Sequence, residues 1–236
     1  MQNRVNQEQV IVVPAADVIL SRYPMEVNDR GLSPGGIRSP STKAVQQSNL
    51  EGILMGKEIR RILYGGDYNP NQWPREVWKE DMRIFRDARI NSATINVFSW
   101  AKIQPSEERY DFSELDEIIE MLSEEDYDIV LATSTGAVPA WMARKYPEVE
   151  RTDFDGKHHK FGQRHNACPN SEIFRKYSAA LAAKLAERYA SNPHVKCWHV
   201  SNEYGGACYC ENCEKAFRVW LRKKYGTLDA VNKAWN

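Results

Sequence analysis

The sequence predicts an α/β fold of about four strand–helix units, and three features of the chain lead to it. Short apolar runs recur from Ile62 onward. Each is followed by a loop rich in Gly, Pro, Asn or Ser and then by a helical pattern of apolar residues. Strands that alternate with helices pair in parallel through right-handed crossovers, and four such units make half of an eight-stranded (β/α)8 (TIM) barrel.

The first strand is expected over Ile62–Gly66. Its helix runs from Trp73-Pro74, with Pro in the first turn, to about Arg89, and turns Val77, Trp78, Met82, Phe85 and Ala88 inward. The second strand is expected over Ser92–Phe98, followed by a loop through Pro105 and a helix opened by Ser113 with Ile118, Ile119 and Leu122 on its inner face. The third spans Asp128–Ala132 and leads through Ser-Thr-Gly to a short helix at Pro139–Tyr146. A long polar loop and a helix over Ser171–Ala190 precede the fourth strand, Val195–Val200, and helices near Glu211–Tyr225 and Leu228–Trp235 follow it. This assigns residues 59–236 to a partial barrel domain. Residues 1–58 mix Gln, Asn, Ser, Pro and Gly around one apolar island, Val10–Val13, and predict a poorly ordered extension.

The chain has 236 residues, with 32 Lys plus Arg balancing 32 Asp plus Glu. A balanced charge gives no global field for a polyanion, so nucleic acid is not an expected partner. No apolar run is long enough to span a bilayer, and the first thirty residues lack the pattern of a secretory signal, so a membrane is not expected either and the expected location is cytoplasmic. The five cysteines are unevenly spread: Cys208, Cys210 and Cys213 crowd together, whereas Cys168 and Cys197 stand apart. An odd, clustered set points to a metal or a reduced compartment rather than to a disulfide framework. With Cys168 as the fourth thiolate, Cys208, Cys210 and Cys213 would complete a closed tetrahedral zinc site of the structural kind, with His165 as a substitute ligand. Cys197, inside an apolar strand, reads as a small core residue, and His194 and His199 as loop and packing residues.

Strand four ends Cys197-Trp-His-Val-Ser-Asn-Glu-Tyr-Gly205, which puts Asn202 and Glu203 at the carboxyl end of a parallel strand, where such barrels build active sites. Asp67, Tyr68, Asn69, Phe98, Trp100, Ser134 and Thr135 end or follow the other strands. Polar groups beside large rings suit a sugar, whose hydroxyls need hydrogen bonds and whose apolar face stacks on aromatic surface. A carboxylic acid against apolar walls would keep its proton and could deliver it to a leaving oxygen.

Ser-Asn-Glu-Tyr-Gly at a fourth strand resembles the acid/base motif of clan A glycoside hydrolases. Tyr64-Gly-Gly-Asp-Tyr-Asn-Pro-Asn-Gln-Trp-Pro74, Val97-Phe-Ser-Trp-Ala101, Pro139-Ala-Trp-Met142, Gly162-Gln-Arg-His165 and Phe217-Arg-Val-Trp-Leu-Arg-Lys-Lys-Tyr-Gly-Thr-Leu-Asp229 resemble glycoside hydrolase family 42, in the same order. The resemblance implies a retaining β-galactosidase acting on β-galactosides, with Glu203 as acid/base, Asn202 on the 2-hydroxyl of the galactosyl unit and Arg164 on the sugar. It also implies a structural zinc on Cys168, Cys208, Cys210 and Cys213, as in some family members, and a homo-oligomer for the longer parent. Asn96-Val-Phe-Ser-Trp100 departs from the Gly-Glu-Phe-Ala-Trp of many members, which leaves the sugar-facing role of that loop open. A retaining enzyme needs a second carboxylate, which in this clan ends the seventh strand. Asp67, Glu107 and Glu108 do not match it, so the expectation is a fragment without the nucleophile and inactive alone. Two rival readings remain at this point: a sibling clan A arabinosidase or fucosidase, and an inactive zinc-bound carbohydrate-binding module.

Overall fold

A computed structural model describes residues 59–235. The expectation for residues 1–58, the Val10–Val13 island included, lies outside the described residues. Four strands, β1 (Gly65–Asp67), β2 (Ser92–Ile95), β3 (Asp128–Ala132) and β4 (Val195–His199), form one sheet in sequence order with every pair parallel. Four parallel strands joined by helical crossovers constitute the first half of a TIM barrel, as the sequence predicts.

Helices α1 (Arg75–Asp87), α2 (Trp100–Ile103), α3 (Ser113–Glu124), α4 (Ala140–Lys145), α5 (Glu172–Tyr189), α6 (Glu211–Tyr225) and α7 (Leu228–Trp235) fill the connections. Each long crossover helix puts one stripe against the sheet. On α3 the stripe is Leu115, Ile118, Ile119 and Leu122; on α5 it is Tyr177, Leu181, Leu185 and Tyr189. These meet Ile95, Ile129 and Leu131 from β2 and β3 and Trp100 and Met142 from α2 and α4, all shielded from water. Each buried Leu or Ile contributes roughly 1.5–3 kcal/mol relative to exposure, so the centre of the sheet is where most of the stability resides. Ser171 caps α5 by accepting from the Phe174 amide at 3.3 Å, and Gly226 ends α6 with φ +79°.

Burial falls off toward both sheet edges. The three β1 residues are exposed, and all of β4 after Val195 is only half-buried. On α1 the inward stripe is Trp78, Met82 and, partly, Phe85, whereas Val77 and Ala88, which sequence periodicity turned inward, are exposed. They flank the stripe, and β1 alone is too narrow to cover them. Helix α6 buries no residue. Its Phe217, Trp220 and Tyr225 instead gather with Trp235 of α7 in a chain of ring contacts with centroids 5.8–6.2 Å apart. A β-bulge interrupts the β3–β4 pairing: Ile129 opposes Val195 but Val130 opposes Cys197, which leaves Lys196 as the extra residue.

Candidate active site and thiol cluster

The backbone just past the strands is strained in a consistent place. Asn96 after β2, Ser134 after β3, and Ser201 and Glu203 after β4 all have positive φ, at 70°, 60°, 59° and 36°. Non-glycine residues enter this region at a cost and persist where surrounding bonds over-determine them. Those bonds are present. The Asn96 side-chain amide donates to Ala132 O at 2.9 Å, the Ser134 hydroxyl donates to Asn96 O, and the Ser201 amide donates to Thr133 Oγ1 at 2.8 Å. The three strand ends are thereby laced together, and Asn202 and Glu203 project from the laced edge.

Asn202 is buried, whereas the Glu203 side chain is 51% exposed. Its carboxylate meets Arg164, whose Nη2 lies 3.0 Å from Oε2. The Arg164 guanidinium also stands over the Phe98 ring at 5.9 Å, and Phe98 meets His165 edge-on at 6.5 Å. The long polar loop that carries Arg164 and His165 is tied to the strand ends through the His165 amide, which donates to Gly136 O at 2.8 Å. Gly136 packs tightly here: a Cβ would stand 3.0 Å from the Phe98 ring, which would have to give by a few tenths of an ångström, and in ordinary contact with Asn202 at 3.5 Å. The three residues singled out from sequence, Glu203, Asn202 and Arg164, therefore lie along one face. His165 is an addition that the sequence reading did not make at this face. Burial pushes its imidazole below the ordinary range, and its Nε2 is buried without a hydrogen-bond partner, 4.0 Å from Glu203.

Other expectations for this face need correction. Trp100 is not a surface for a sugar: it is fully buried, and its indole N–H donates to Gln104 Oε1 at 2.9 Å. Tyr68 is buried too, with its hydroxyl donating to Asp81 at 3.0 Å. Phe98 stays accessible. The apolar walls expected around Glu203 are not built by the described residues. Glu107 accepts from the Lys145 ammonium and the Tyr177 and Tyr146 hydroxyls, which together hold its carboxyl down to about 2. That makes Glu107 a clamp between the loop after β2 and helices α4 and α5, in keeping with its rejection as a nucleophile.

Cys168, Cys208, Cys210 and Cys213 come together with their sulfurs all within 4.8 Å of one another. Cys168 Sγ lies 3.5 Å from both Cys210 and Cys213. Tetrahedral coordination with metal–sulfur bonds of about 2.3 Å requires sulfurs about 3.8 Å apart, so this donor set fits a single metal ion. Burial pushes the Cys168 thiol up; at Cys210 burial acts the same way, but the Cys213 amide and the surrounding thiols outweigh it and bring that thiol down. The cluster joins two loops. Cys168 belongs to the loop after α4, where its amide donates to Val149 O at 2.6 Å; Cys208 and Cys210 belong to the loop after β4, where the Tyr209 amide donates to Thr152 O at 2.8 Å. Arg151 adds a third tie, donating to Ala167 O at 3.0 Å and packing so closely on Gly206 that a Cβ there would fall 2.1 Å from its Nη1. Arg164 and Glu203 sit on the two loops that the thiols join.

The chain is similar to several known proteins. A β-galactosidase of Planococcus sp. strain L4 is 58% identical over 184 residues, covering 78% of this chain and 27% of that protein. A Lactobacillus acidophilus β-galactosidase is 54% identical over 179 residues, covering 76% and 27%. The crystal structure of a β-galactosidase from Bacillus circulans sp. alkalophilus superposes with a TM-score of 0.72 at 63% identity, covering 75% of this chain and 26% of that one. The chain thus spans about a quarter of the length of the relatives it matches. The model of glycoside hydrolase family 42, described as β-galactosidase, matches residues 67–236, and the chain belongs to that family.

Proposed function

We propose that this chain carries the acid/base part of a retaining β-galactosidase, which hydrolyses terminal non-reducing β-D-galactose residues of β-galactosides. The observation that carries the reading is the meeting of Glu203 with Arg164 at 3.0 Å beside the buried Asn202, on the carboxyl-end face of a parallel sheet. In the reaction, Glu203 in its acid form gives its proton to the departing glycosidic oxygen, then takes one from the water that completes hydrolysis. Asn202 holds the 2-hydroxyl of the galactosyl unit, a bond that strengthens as positive charge builds on the ring. Arg164 holds a second sugar oxygen and orients the Glu203 carboxylate. The nucleophile, a carboxylate about 5 Å from the first, is supplied from outside this chain, so the chain alone is inactive.

The four thiolates hold one structural Zn2+, which in this chemistry supplies no step and acts as a staple between the loops bearing Arg164 and Glu203. Thiols kept reduced for a metal fit a cytoplasmic setting. The longer enzyme is expected to assemble as a homo-oligomer, with neither nucleic acid nor membrane as a partner. Among the described residues no helix is long and apolar enough to cross a membrane.

The test is hydrolysis of nitrophenyl β-D-galactoside by the chain alone and by the chain joined to the remaining barrel of a family 42 enzyme. Turnover with retained configuration only in the second case, abolished on poor leaving groups but not on activated aryl galactosides by Glu203→Gln, is the expected result. Turnover by the chain alone, or equal loss on both substrate types, overturns the assignment.

A further inference from the structure

The thiol cluster has a neighbour that the staple reading leaves without a task. Asn170 lies two residues after Cys168 and just before Ser171, the cap of α5. The chain turns there: the Ser171 amide donates to Cys168 O at 3.1 Å, with Pro169 and Asn170 as the central residues. Within this turn the Asn170 backbone amide donates to the Cys168 sulfur. Its side-chain amide reaches across the cluster and donates to Cys213 Sγ at 3.3 Å, in the first turn of α6. One half-buried residue therefore gives an N–H to a sulfur on each side of the junction that the thiols make. The Cys210 sulfur has its own donor, the Cys213 backbone amide.

A neutral thiol is a weak acceptor, so two such bonds contribute little while the cysteines keep their protons. Metal binding changes that, because a coordinated thiol is deprotonated outright. Four thiolates around one divalent ion leave a net double negative charge in a partly buried place, and negative charge withdrawn from water needs donors. Hydrogen bonds to a charged acceptor are roughly twice as strong as neutral ones. The two N–H groups of Asn170 thus strengthen when a metal is held. A side chain that merely filled space would gain nothing.

We propose that Asn170 is a positioning residue for a metal on the four thiolates, fixing the Cys168 and Cys213 sulfurs in their places and slowing loss of the ion. The proposal rests on the zinc reading above. It divides the work between two groups: the backbone amide serves the sulfur inside the turn, and the side-chain amide serves the sulfur across the cluster. A substitution that keeps the turn therefore removes only the second bond. Asparagine suits both tasks, since it is also a residue that such turns favour.

The test compares the wild-type chain, Asn170→Ala and Asn170→Asp near neutral pH, where an aspartate is charged. Zinc affinity is read by competition with a chromophoric chelator, and the thiolate-to-metal charge-transfer band is read after loading with Co2+. Asp has the shape of Asn but offers a negative charge in place of the N–H. The expected result is zinc held about tenfold less tightly by Asn170→Ala and less tightly still by Asn170→Asp. In both variants the Co2+ band should move to longer wavelength, because the bond that lowered the energy of the sulfur electrons is gone. A space-filling role would rank Asn170→Asp beside the wild type and leave the band in place, and either result overturns the proposal. If Asn170→Ala does not fold, Asn170→Asp decides by the same two readings. A wild-type chain that holds no zinc overturns the zinc reading and this proposal with it. A wild-type chain with about one zinc, held equally tightly by the variants, overturns the role of Asn170 alone.

Discussion

Arg164, in the long loop that precedes α5, meets Glu203, the fourth residue of the loop after β4, at 3.0 Å, with both side chains about half exposed. An ion pair this wet contributes little to folding, typically 0–1 kcal/mol. Its worth lies in where it holds the carboxylate.

Arg164→Ala should therefore leave the urea midpoint of the chain nearly unchanged. In an enzyme completed with the rest of the barrel, kcat/KM on β-galactosides should fall by roughly 10- to 100-fold, the loss of one charge-assisted hydrogen bond. Equilibrium unfolding and steady-state kinetics on the same variant check this. A large loss of stability with unchanged kinetics would make Arg164 a structural residue.

Metal analysis should find about one zinc per chain, and Cys210→Ser should remove most of it. A closed four-thiolate site couples metal binding to local folding. Chelation should therefore lower the melting temperature of the wild type and leave Cys210→Ser little changed. Equal zinc in both proteins would dismiss the staple.

Much of this arrangement is legible in the sequence, for reasons that differ from residue to residue. Strand β3 and helices α6 and α7 fall where the sequence patterns place them, because Asp126 turns the chain just before the apolar run of β3 and Gly226 separates the two last helices. The Cys208-x-Cys-x-x-Cys213 spacing announces a metal cluster, since three thiols so close in sequence must be close in space. Helix α2 leaves no such mark: Trp100-Ala-Lys-Ile103 is too short to show a period, and it forms because Trp100 and Ile103 are pulled into the core. Gln104 reads as a loop residue, yet it is fully buried, receiving the Trp100 N–H and donating to Glu107 O at 2.9 Å. Glu150 likewise reads as one more surface acid in a polar loop. Its burial follows from the fold of that loop, in which Glu150 pairs antiparallel with Ala167 across a stretch with no repeating pattern.

Gly65 gives a sharp test of the sheet. It faces Ser92 across the β1–β2 ladder, and a Cβ there would fall 1.7 Å from the Ser92 carbonyl oxygen. That oxygen is backbone and cannot swing aside, so β1 must move or detach. Gly65→Ala should cost about 1–3 kcal/mol, or roughly 2–4 °C of melting temperature per kcal/mol. Gly66→Ala, where a Cβ meets nothing within 4 Å, serves as the control. Equal melting of the two variants would refute the pairing.

His159 should give the loop of residues 150–168 a dependence on pH. Its ring nitrogens face the Asp153 carboxylate and the Asn166 carbonyl oxygen, two acceptors that only the doubly protonated imidazolium can satisfy. The hydrogen bonds that the ring donates to Asp153 and, less strongly, to Asn166 accordingly raise its pKa above the ordinary value. A histidine whose folded pKa lies above its unfolded value of about 6.5 contributes stability that is fully present below the unfolded value. That contribution fades as pH rises through the folded value. His165 runs the other way: burial lowers its pKa, so its effect appears as a loss of stability when pH falls below the unfolded value. The two are separated by comparing unfolding free energies of the wild type and His159→Gln from about pH 5 to pH 9. The difference should be largest at the acid end and shrink toward the alkaline end. A difference that stays flat across the range would show that His159 holds its partners as a neutral ring.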